Sequence, residues 1–200
     1  MRLTMVALCM LVLIAGCAVG AGTLPVVDEP TETPTETVPT PQHPTTPSSS
    51  LYDVDVDKIE DLIHQKMNER RRENGVEPLE RNETLDAIAR YKSWDMAQRD
   101  YFAHTGPNGT RHNLLRDRYG AKCDHIGQNI ARHSFDLKNP YPYPQSELSD
   151  SIRIASGIVR GFLNSPGHRQ NALSTYYESQ GIGVFVDENG TVFVTQELCG

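Results

Sequence analysis

The chain is poor in cysteine, has no basic stripe and carries a single long apolar run. Only four of its 200 residues are cysteine, and the formal net charge is -7 at pH 7. Without a basic stripe, nucleic acid is excluded as an expected partner. The patterns Gly-x-Ser-x-Gly and His-Glu-x-x-His are both missing, so the sequence offers neither a hydrolase elbow nor a zinc-peptidase helix.

The apolar run, Leu3 to Ile14, is too short to span a bilayer comfortably. Arg2 supplies a positive charge before it, and the tripeptide ending at Cys17 resembles a lipobox. We predict a signal peptide over residues 1–16 and lipid attachment to Cys17, which would anchor the protein to the membrane at the cell surface. The alternative is a plain secretory signal with a chance cysteine. In both cases the protein is predicted to be exported.

Residues 17–50 are dominated by threonine, proline, glutamate and serine. A segment with so few apolar side chains cannot offset the entropy lost on ordering, and its prolines favour extended conformations. We therefore predict a disordered, semi-stiff stalk over 17–50 and one globular domain over 51–200.

Two cysteines, Cys123 and Cys199, lie in the predicted domain. In an exported domain they most simply form one disulfide, which would tie the C-terminal tail to the segment before Gln128. Two free thiols are the alternative.

Apolar periodicity and turn signals predict three helices, then a strand, a fourth helix and a final hairpin. Asn189-Gly190 is the tight-turn signal of that hairpin. The first helix ends in Arg70, Arg71 and Arg72, which are expected to face solvent and complement the helix dipole. The predicted bounds are helices over 54–74, 82–101, 111–119 and 150–162, and strands over 126–131, 181–187 and 191–198. This order predicts an α+β domain.

Two histidines lie beside predicted helix ends. Ser-Pro-Gly at 165–167 is expected to stop the fourth helix, because proline lacks a backbone donor and glycine permits a left-handed turn. His168 follows directly and is expected just past the helix. His104 is expected to close the second helix. With the strand around Gln128, these segments are predicted to meet.

Five segments stand in an order typical of one family: YFAHTGPNG (101–109), IGQNIA (126–131), FLNSPGHRQNAL (162–173), GIGVFV (181–186) and VFVTQEL (192–198). From about Val54 to Leu198 the chain resembles the CAP superfamily (SCP domain; cysteine-rich secretory, antigen 5 and pathogenesis-related proteins) in its short prokaryotic form. The resemblance implies an α/β fold of the α+β kind, a three-layer α-β-α sandwich with a mainly antiparallel central sheet. A fold hosts many activities, so function must be argued from the site.

The resemblance also implies a central cleft, which two histidines and two glutamates line in the wider family and which holds a divalent metal in some members. By position, His104 and His168 match the histidines. Gln128 stands where the first glutamate is expected. The second glutamate has no clear match, because Glu147, the nearest carboxylate, comes too early in its segment.

Gln128 carries no negative charge, binds zinc weakly and cannot act as a general base. A zinc site formed by His104 and His168 would therefore be degraded, and no other cofactor is expected. The alternative is a structural polar cluster, in which Gln128 donates to a histidine and His104 caps the second helix. The resemblance implies scaffold roles, satisfying buried backbone groups, for three further residues: Asn129, Asn171 and Gln196.

These observations favour a surface binding module that uses a cleft of His104, Gln128 and His168 to bind an envelope lipid, glycan or peptide. The alternative is a metal-assisted or peptidase-like hydrolase in the cell envelope, for which Ser165 near His168 is the candidate nucleophile. A third possibility is a structural domain that contacts other proteins.

Overall fold

The structure, a computed structural model, describes residues 54–134 and 150–200. The predicted signal peptide, Cys17, the stalk and Glu147 lie outside the described residues. Within the two ranges the elements, in chain order, are α1 (Val56–Glu73), β1 (Glu80–Arg81), α2 (Glu83–Gln98), α3 (His112–Tyr119), β2 (Ile126–Ser134), α4 (Asp150–Asn164), α5 (Pro166–Ala172), β3 (Ser179–Val186) and β4 (Thr191–Cys199).

The four strands form one sheet in the order β1-β3-β4-β2. β4 pairs antiparallel with both β2 and β3, whereas β1 pairs parallel with β3. The sheet is therefore mixed and mainly antiparallel, as the family resemblance implied. The two-residue strand β1 was not predicted, because a pair of charged residues gives no strand signal.

Helices cover both faces of the sheet. On one face Ile182, Val184 and Val186 join a buried cluster with residues of α1, α4 and α5. On the other face Ile130 and Phe193 pack against Met96 of α2. The predicted three-layer α-β-α sandwich is confirmed.

Gly181 and Gly183 allow α2 to lie directly on β3. A Cβ atom added at Gly183 would fall 2.0 Å from the backbone nitrogen of Arg90, and one at Gly181 would fall 2.1 Å from the carbonyl carbon of Leu85. Any side chain at either position would push the helix off the sheet.

The second helix ends earlier than predicted. α2 begins after Asn82, whose side chain accepts hydrogen bonds from two backbone amides as an N-cap, but the helix ends at Gln98. Asp100 has a φ angle of 47°, outside the helical region. The prediction that His104 closes this helix is therefore wrong.

Pro166 begins a helix as well as ending one. α4 stops at Asn164, Ser165 is the N-cap of α5, and the proline occupies its first turn. Proline is favoured there because the first backbone amides of a helix need no intrahelical acceptor. His168 thus follows the end of α4 as expected, but it lies in the first turn of a further helix, α5, that was not predicted. Gly167 is not among the glycines with positive φ.

Arg71 corrects the prediction that the arginines of the first helix face solvent. It is only 1 % exposed, and its guanidinium donates to the carbonyl oxygens of Glu77, Ala172 and Ser174 at 2.7 to 2.9 Å. The side chain ties α1 to the end of α5. A buried arginine with backbone acceptors has the same sequence pattern as a solvated one.

Cys123 and Cys199 form a disulfide with a Cα–Cα distance of 5.3 Å, which confirms the predicted pairing. The bridge joins the segment before β2 to the last residue of β4. No helix in the described ranges is long and apolar enough to cross a membrane.

Candidate functional site

His104 and Gln128 are in direct contact. The chain after α2 brings His104 over β2, where its Nδ1 lies 2.7 Å from Oε1 of Gln128. Gln128 is 4 % exposed, on the face of β2 that is turned toward α2, whereas His104 is exposed. The structure thus pairs an accessible imidazole with a buried amide.

His168 lies in α5, which contacts β2 through the His168 carbonyl oxygen and the side chain of Asn171. Its ring packs edge-on against Phe162 with 5.5 Å between ring centroids. Burial, and then the charge of His104, lower the pKa of His168. The Nδ2 atom of Asn171, in the same helix, lies 3.3 Å from the backbone oxygen of Gln128. We call His104, Gln128 and His168 the histidine site, and its role in binding stays a prediction.

Glu197 was missed by sequence reasoning. It lies opposite Gln128 on β4, is completely buried, and its Oε1 accepts a hydrogen bond from Nε2 of Gln128 at 2.5 Å. Its sequence signal was a glutamate in a strand, on the same face as Phe193 and Thr195. A carboxylate in such a place needs a buried partner.

That partner is Arg116 of α3. Its guanidinium contacts Oε2 of Glu197 and donates to the carbonyl oxygens of Leu198 at 2.8 Å and Gly127 at 3.0 Å. Burial raises the pKa of Glu197, and the charge of Arg116 opposes that rise. Because the guanidinium stays charged, the pair is neutral overall only while the glutamate is ionised.

Lys92 supports the backbone of His104. Its Nζ donates to the carbonyl oxygen of His104 at 3.1 Å and to Oη of Tyr101 at 3.0 Å, and Tyr101 in turn donates to Asp95. Burial lowers the pKa of Lys92 to about 8. A desolvated lysine therefore lies directly behind the histidine site.

On the other face of the sheet, side-chain amides form a chain that begins at the histidine site. Asn129 Nδ2 donates to the carbonyl oxygen of His168 at 3.1 Å and to Oε1 of Gln196 at 2.9 Å. Gln196 donates to Gln180 at 2.7 Å, and Nε2 of Gln180 lies 2.9 Å from Nδ1 of His64. The scaffold role of Asn129 and Asn171 fits these contacts, while Gln196 bonds side chains rather than backbone groups.

The direction of this chain is determined by its first member. A carbonyl oxygen can only accept, so the NH2 group of Asn129 must face the carbonyl oxygen of His168. The NH2 groups of Gln196 and Gln180 must then each point to the next member of the chain. Nδ1 of His64 must then accept, which is possible only while the ring is neutral. Burial, and then the charge of Arg81, lower the pKa of His64 in agreement with this arrangement.

One predicted contact differs from the one observed. Gln128 was expected to donate its amide to a histidine, but its Nε2 faces Glu197 and its oxygen faces His104. His125 lies away from the site, with its ring 5.1 Å from that of Tyr176. Ser165 makes no side-chain capping bond.

The residues present do not fit a zinc site. The nearest carboxylate, Glu197, is engaged by Arg116 and Gln128, and Nδ1 of His104 is engaged by the same glutamine. In residues 54–134 and 150–200 no group of three or more histidine, cysteine, aspartate or glutamate side chains could hold a metal ion. What the site offers is hydrogen bonding by two imidazoles beside a neutral amide.

The domain is an α-β-α sandwich in which His104 and His168, from two separate segments, both contact the edge strand β2. These features define a class of small domain. The chain belongs to that class as a member of the cysteine-rich secretory protein family (CAP), whose sequence profile matches residues 64–198. The family resemblance seen in the sequence is thereby confirmed.

Relatives support the same assignment. The uncharacterized protein YkwD of Bacillus subtilis is 30 % identical over 146 residues, which are 72 % of this chain and 48 % of YkwD. The chain thus spans about half the length of that curated relative.

Two solved structures share the fold. An extracellular protein containing an SCP domain from Bacillus anthracis has a TM-score of 0.55 at 24 % identity, covering 72 % of this chain and 41 % of that one. An outer surface protein from Borrelia burgdorferi has a TM-score of 0.59 at 16 % identity, covering 73 % and 95 %.

Proposed function

We propose that this protein is exported and acts as a surface binding module, with the histidine site as its recognition site. The carrying observation is the arrangement of that site. The imidazole of His104 contacts a buried amide that is hydrogen-bonded on both sides, and His168 lies in the helix whose Asn171 contacts the backbone of the same residue. Such groups are suited to hold a polar ligand without reacting with it.

Export is supported by the relatives and by the sequence. The Bacillus anthracis protein is described as extracellular and the Borrelia burgdorferi protein as an outer surface protein. The disulfide agrees with an oxidising compartment. Lipid attachment at Cys17, with residues 17–50 as a spacer, would hold the domain away from the membrane.

A hydrolase in the cell envelope is the weaker candidate. Among the described residues no hydrogen bond joins the hydroxyl of Ser165 to His168, and the donor set does not suit zinc. Neutral His168 could serve as the general base of such a hydrolase. The described residues do not provide a nucleophile beside it. Turnover of cell-wall or peptide substrates that is lost in His168→Ala would favour this candidate.

Binding of the purified, oxidised protein to three envelope preparations tests the proposal. These are vesicles of bacterial phosphatidylglycerol, purified sacculi and envelope peptides. We expect one preparation to retain the protein, and His104→Ala or His168→Ala to weaken retention about tenfold, the effect of one lost hydrogen bond.

His125→Ala is the matched control, because this imidazole is exposed and packs on Tyr176 rather than on the histidine site. The proposal would be overturned if all variants were retained equally, or if none of the three preparations retained the protein. Retention lost equally in the control would place the ligand elsewhere and would also overturn it.

A further inference from the structure

We propose that Glu197, together with Arg116, is a positioning residue that fixes which ring nitrogen of His104 carries the hydrogen, so that the site presents a bare nitrogen to a hydroxyl-bearing glycan. The ligand half of this inference rests on the proposed binding function. The positioning half concerns the protein alone and needs no ligand.

Arg116 cannot turn away from Glu197. It is 2 % exposed and is fastened to the backbone on two sides, at Leu198 and Gly127. A guanidinium does not lose its proton in proteins, so it keeps the glutamate beside it ionised. Both carboxylate oxygens of Glu197 can then only accept hydrogen bonds.

An ionised Glu197 determines the direction of the Gln128 amide. Its Oε1 lies 2.5 Å from one end of that amide, and this end must be the NH2 group. The reverse orientation would place two acceptor oxygens against each other in a buried position. The carbonyl oxygen of Gln128 therefore faces His104.

The same reasoning fixes the imidazole. The Gln128 oxygen can only accept, and it lies 2.7 Å from Nδ1 of His104, so Nδ1 carries the hydrogen. In the neutral ring Nε2 then carries a lone pair and no hydrogen, and it belongs to an exposed side chain. The ionised Glu197 thus determines, through the orientation of the Gln128 amide, which tautomer His104 adopts.

A bare Nε2 selects for ligands that donate hydrogen bonds. A hydroxyl group satisfies it, whereas a phosphate or carboxylate oxygen would face another acceptor. Phe102, two residues before His104, is 41 % exposed, and Arg132 lies over its ring at 5.2 Å from the centroid. Arg132 follows Gln128 by four residues on the same face of β2, about 13 Å along the strand.

An exposed aromatic ring beside a hydrogen-bond acceptor suits a sugar, which has an apolar C–H face and hydroxyl groups at its edge. The favoured occupant is therefore a glycan rather than a lipid phosphate.

Nitrogen-15 NMR of the His104 ring in the unliganded protein tests the positioning half. At about pH 8, where an ordinary imidazole is neutral, we expect the Nδ1–H tautomer in the wild type and a mixture in Glu197→Gln. The control Thr195→Val loses a buried hydrogen bond to Ser93 on the same face of β4 and should keep the wild-type tautomer. An Nε2–H tautomer in the wild type, or an unchanged tautomer in Glu197→Gln, would overturn the inference.

Gln128→Met is the second variant, because it removes the acceptor of His104 while it leaves the ion pair in place. We expect it to lose the preference for Nδ1–H, and a retained preference would contradict the inference. This variant leaves no buried charge unpaired, because Glu197 keeps Arg116 as its partner.

A hexamer of N-acetylglucosamine tests the ligand half. We expect it to bind the wild type, and to bind Gln128→Met about tenfold more weakly. If phosphatidylglycerol vesicles or peptides bind through His104 instead, the glycan assignment is wrong while the tautomer result stands. If the tautomer is as expected and no probe depends on His104, the proposed binding function is what fails.

Discussion

Gln128 donates from Nε2 to Oε1 of Glu197 at 2.5 Å across the β2–β4 pair. The neutral amide at the family's glutamate position is thus hydrogen-bonded to a carboxylate on the neighbouring strand. Arg116 neutralises that carboxylate, so no net negative charge reaches the histidines. The site is consequently suited to hydrogen bonding rather than to holding a divalent cation.

The ion pair of Arg116 and Glu197 is expected to be necessary for stability. Arg116→Met should lower the free energy of unfolding by about 3–5 kcal/mol, because it leaves a buried carboxylate without its counter-charge. The double variant that also carries Glu197→Met should lose less than the single variant. Chemical denaturation measures both, and a double variant that is less stable than either single variant would contradict this expectation.

Lys92 should make stability depend on alkaline pH. Its pKa is about 8 in the folded protein, against an ordinary value of 10.5. Between these values the unfolded chain binds a proton that the folded chain has released, so stability rises with pH. Relative to Lys92→Met, the wild type should gain stability from pH 8 to 10.5. Parallel stability curves for the two proteins would show that the lysine is not desolvated.

His64 should make stability depend on mildly acidic pH. Burial and Arg81 lower its pKa below 6.5, while Asp86 and Asp61 oppose the shift. The unfolded chain therefore binds the extra proton first, and stability falls as pH decreases from 6.5 to the lowered value, below which the loss is complete. His64→Gln should remove this contribution. An equally steep loss in that variant would exclude His64 as its source.

Gly183 should not tolerate a side chain. Gly183→Ala brings a methyl group within 2.0 Å of the Arg90 nitrogen, and we expect a loss of about 3 kcal/mol or more in unfolding free energy. Gly157→Ala is the control, since nothing lies within 4 Å of the added atom inside α4. That control should gain about 0.5–1 kcal/mol. Similar thermal midpoints for the two variants would contradict the close packing of α2 on β3.

The sequence predicted the elements well where local chemistry decides them. The N-cap at Asn82 and the apolar runs within β3 and β4 can be recognised from neighbouring residues alone. It failed where distant contacts decide the outcome. The sequence pattern of Arg71 is that of a surface arginine, and only the tertiary structure shows that carbonyl oxygens at and after the end of α5 accept its hydrogen bonds.

The histidine site shows the same division. The motifs that carry His104, Gln128 and His168 were visible, but the direction of the Gln128 hydrogen bonds depends on Glu197, 69 positions away. Pro166 was correctly interpreted as a helix stop, because α4 ends at Asn164, but that the same proline begins α5 was not predicted. Sequence patterns thus identified the residues, and tertiary contacts determined their hydrogen bonds.

An NMR titration of the oxidised protein with solubilised envelope glycan tests most directly whether the histidine site binds ligand. We expect the largest shift changes at His104, Gln128 and His168, and their loss in His104→Ala but not in His125→Ala. A groove beside β1 is lined in part by Arg71, Arg81 and Tyr177. Shift changes centred on that groove, with the histidine site unaffected, would contradict the proposed function.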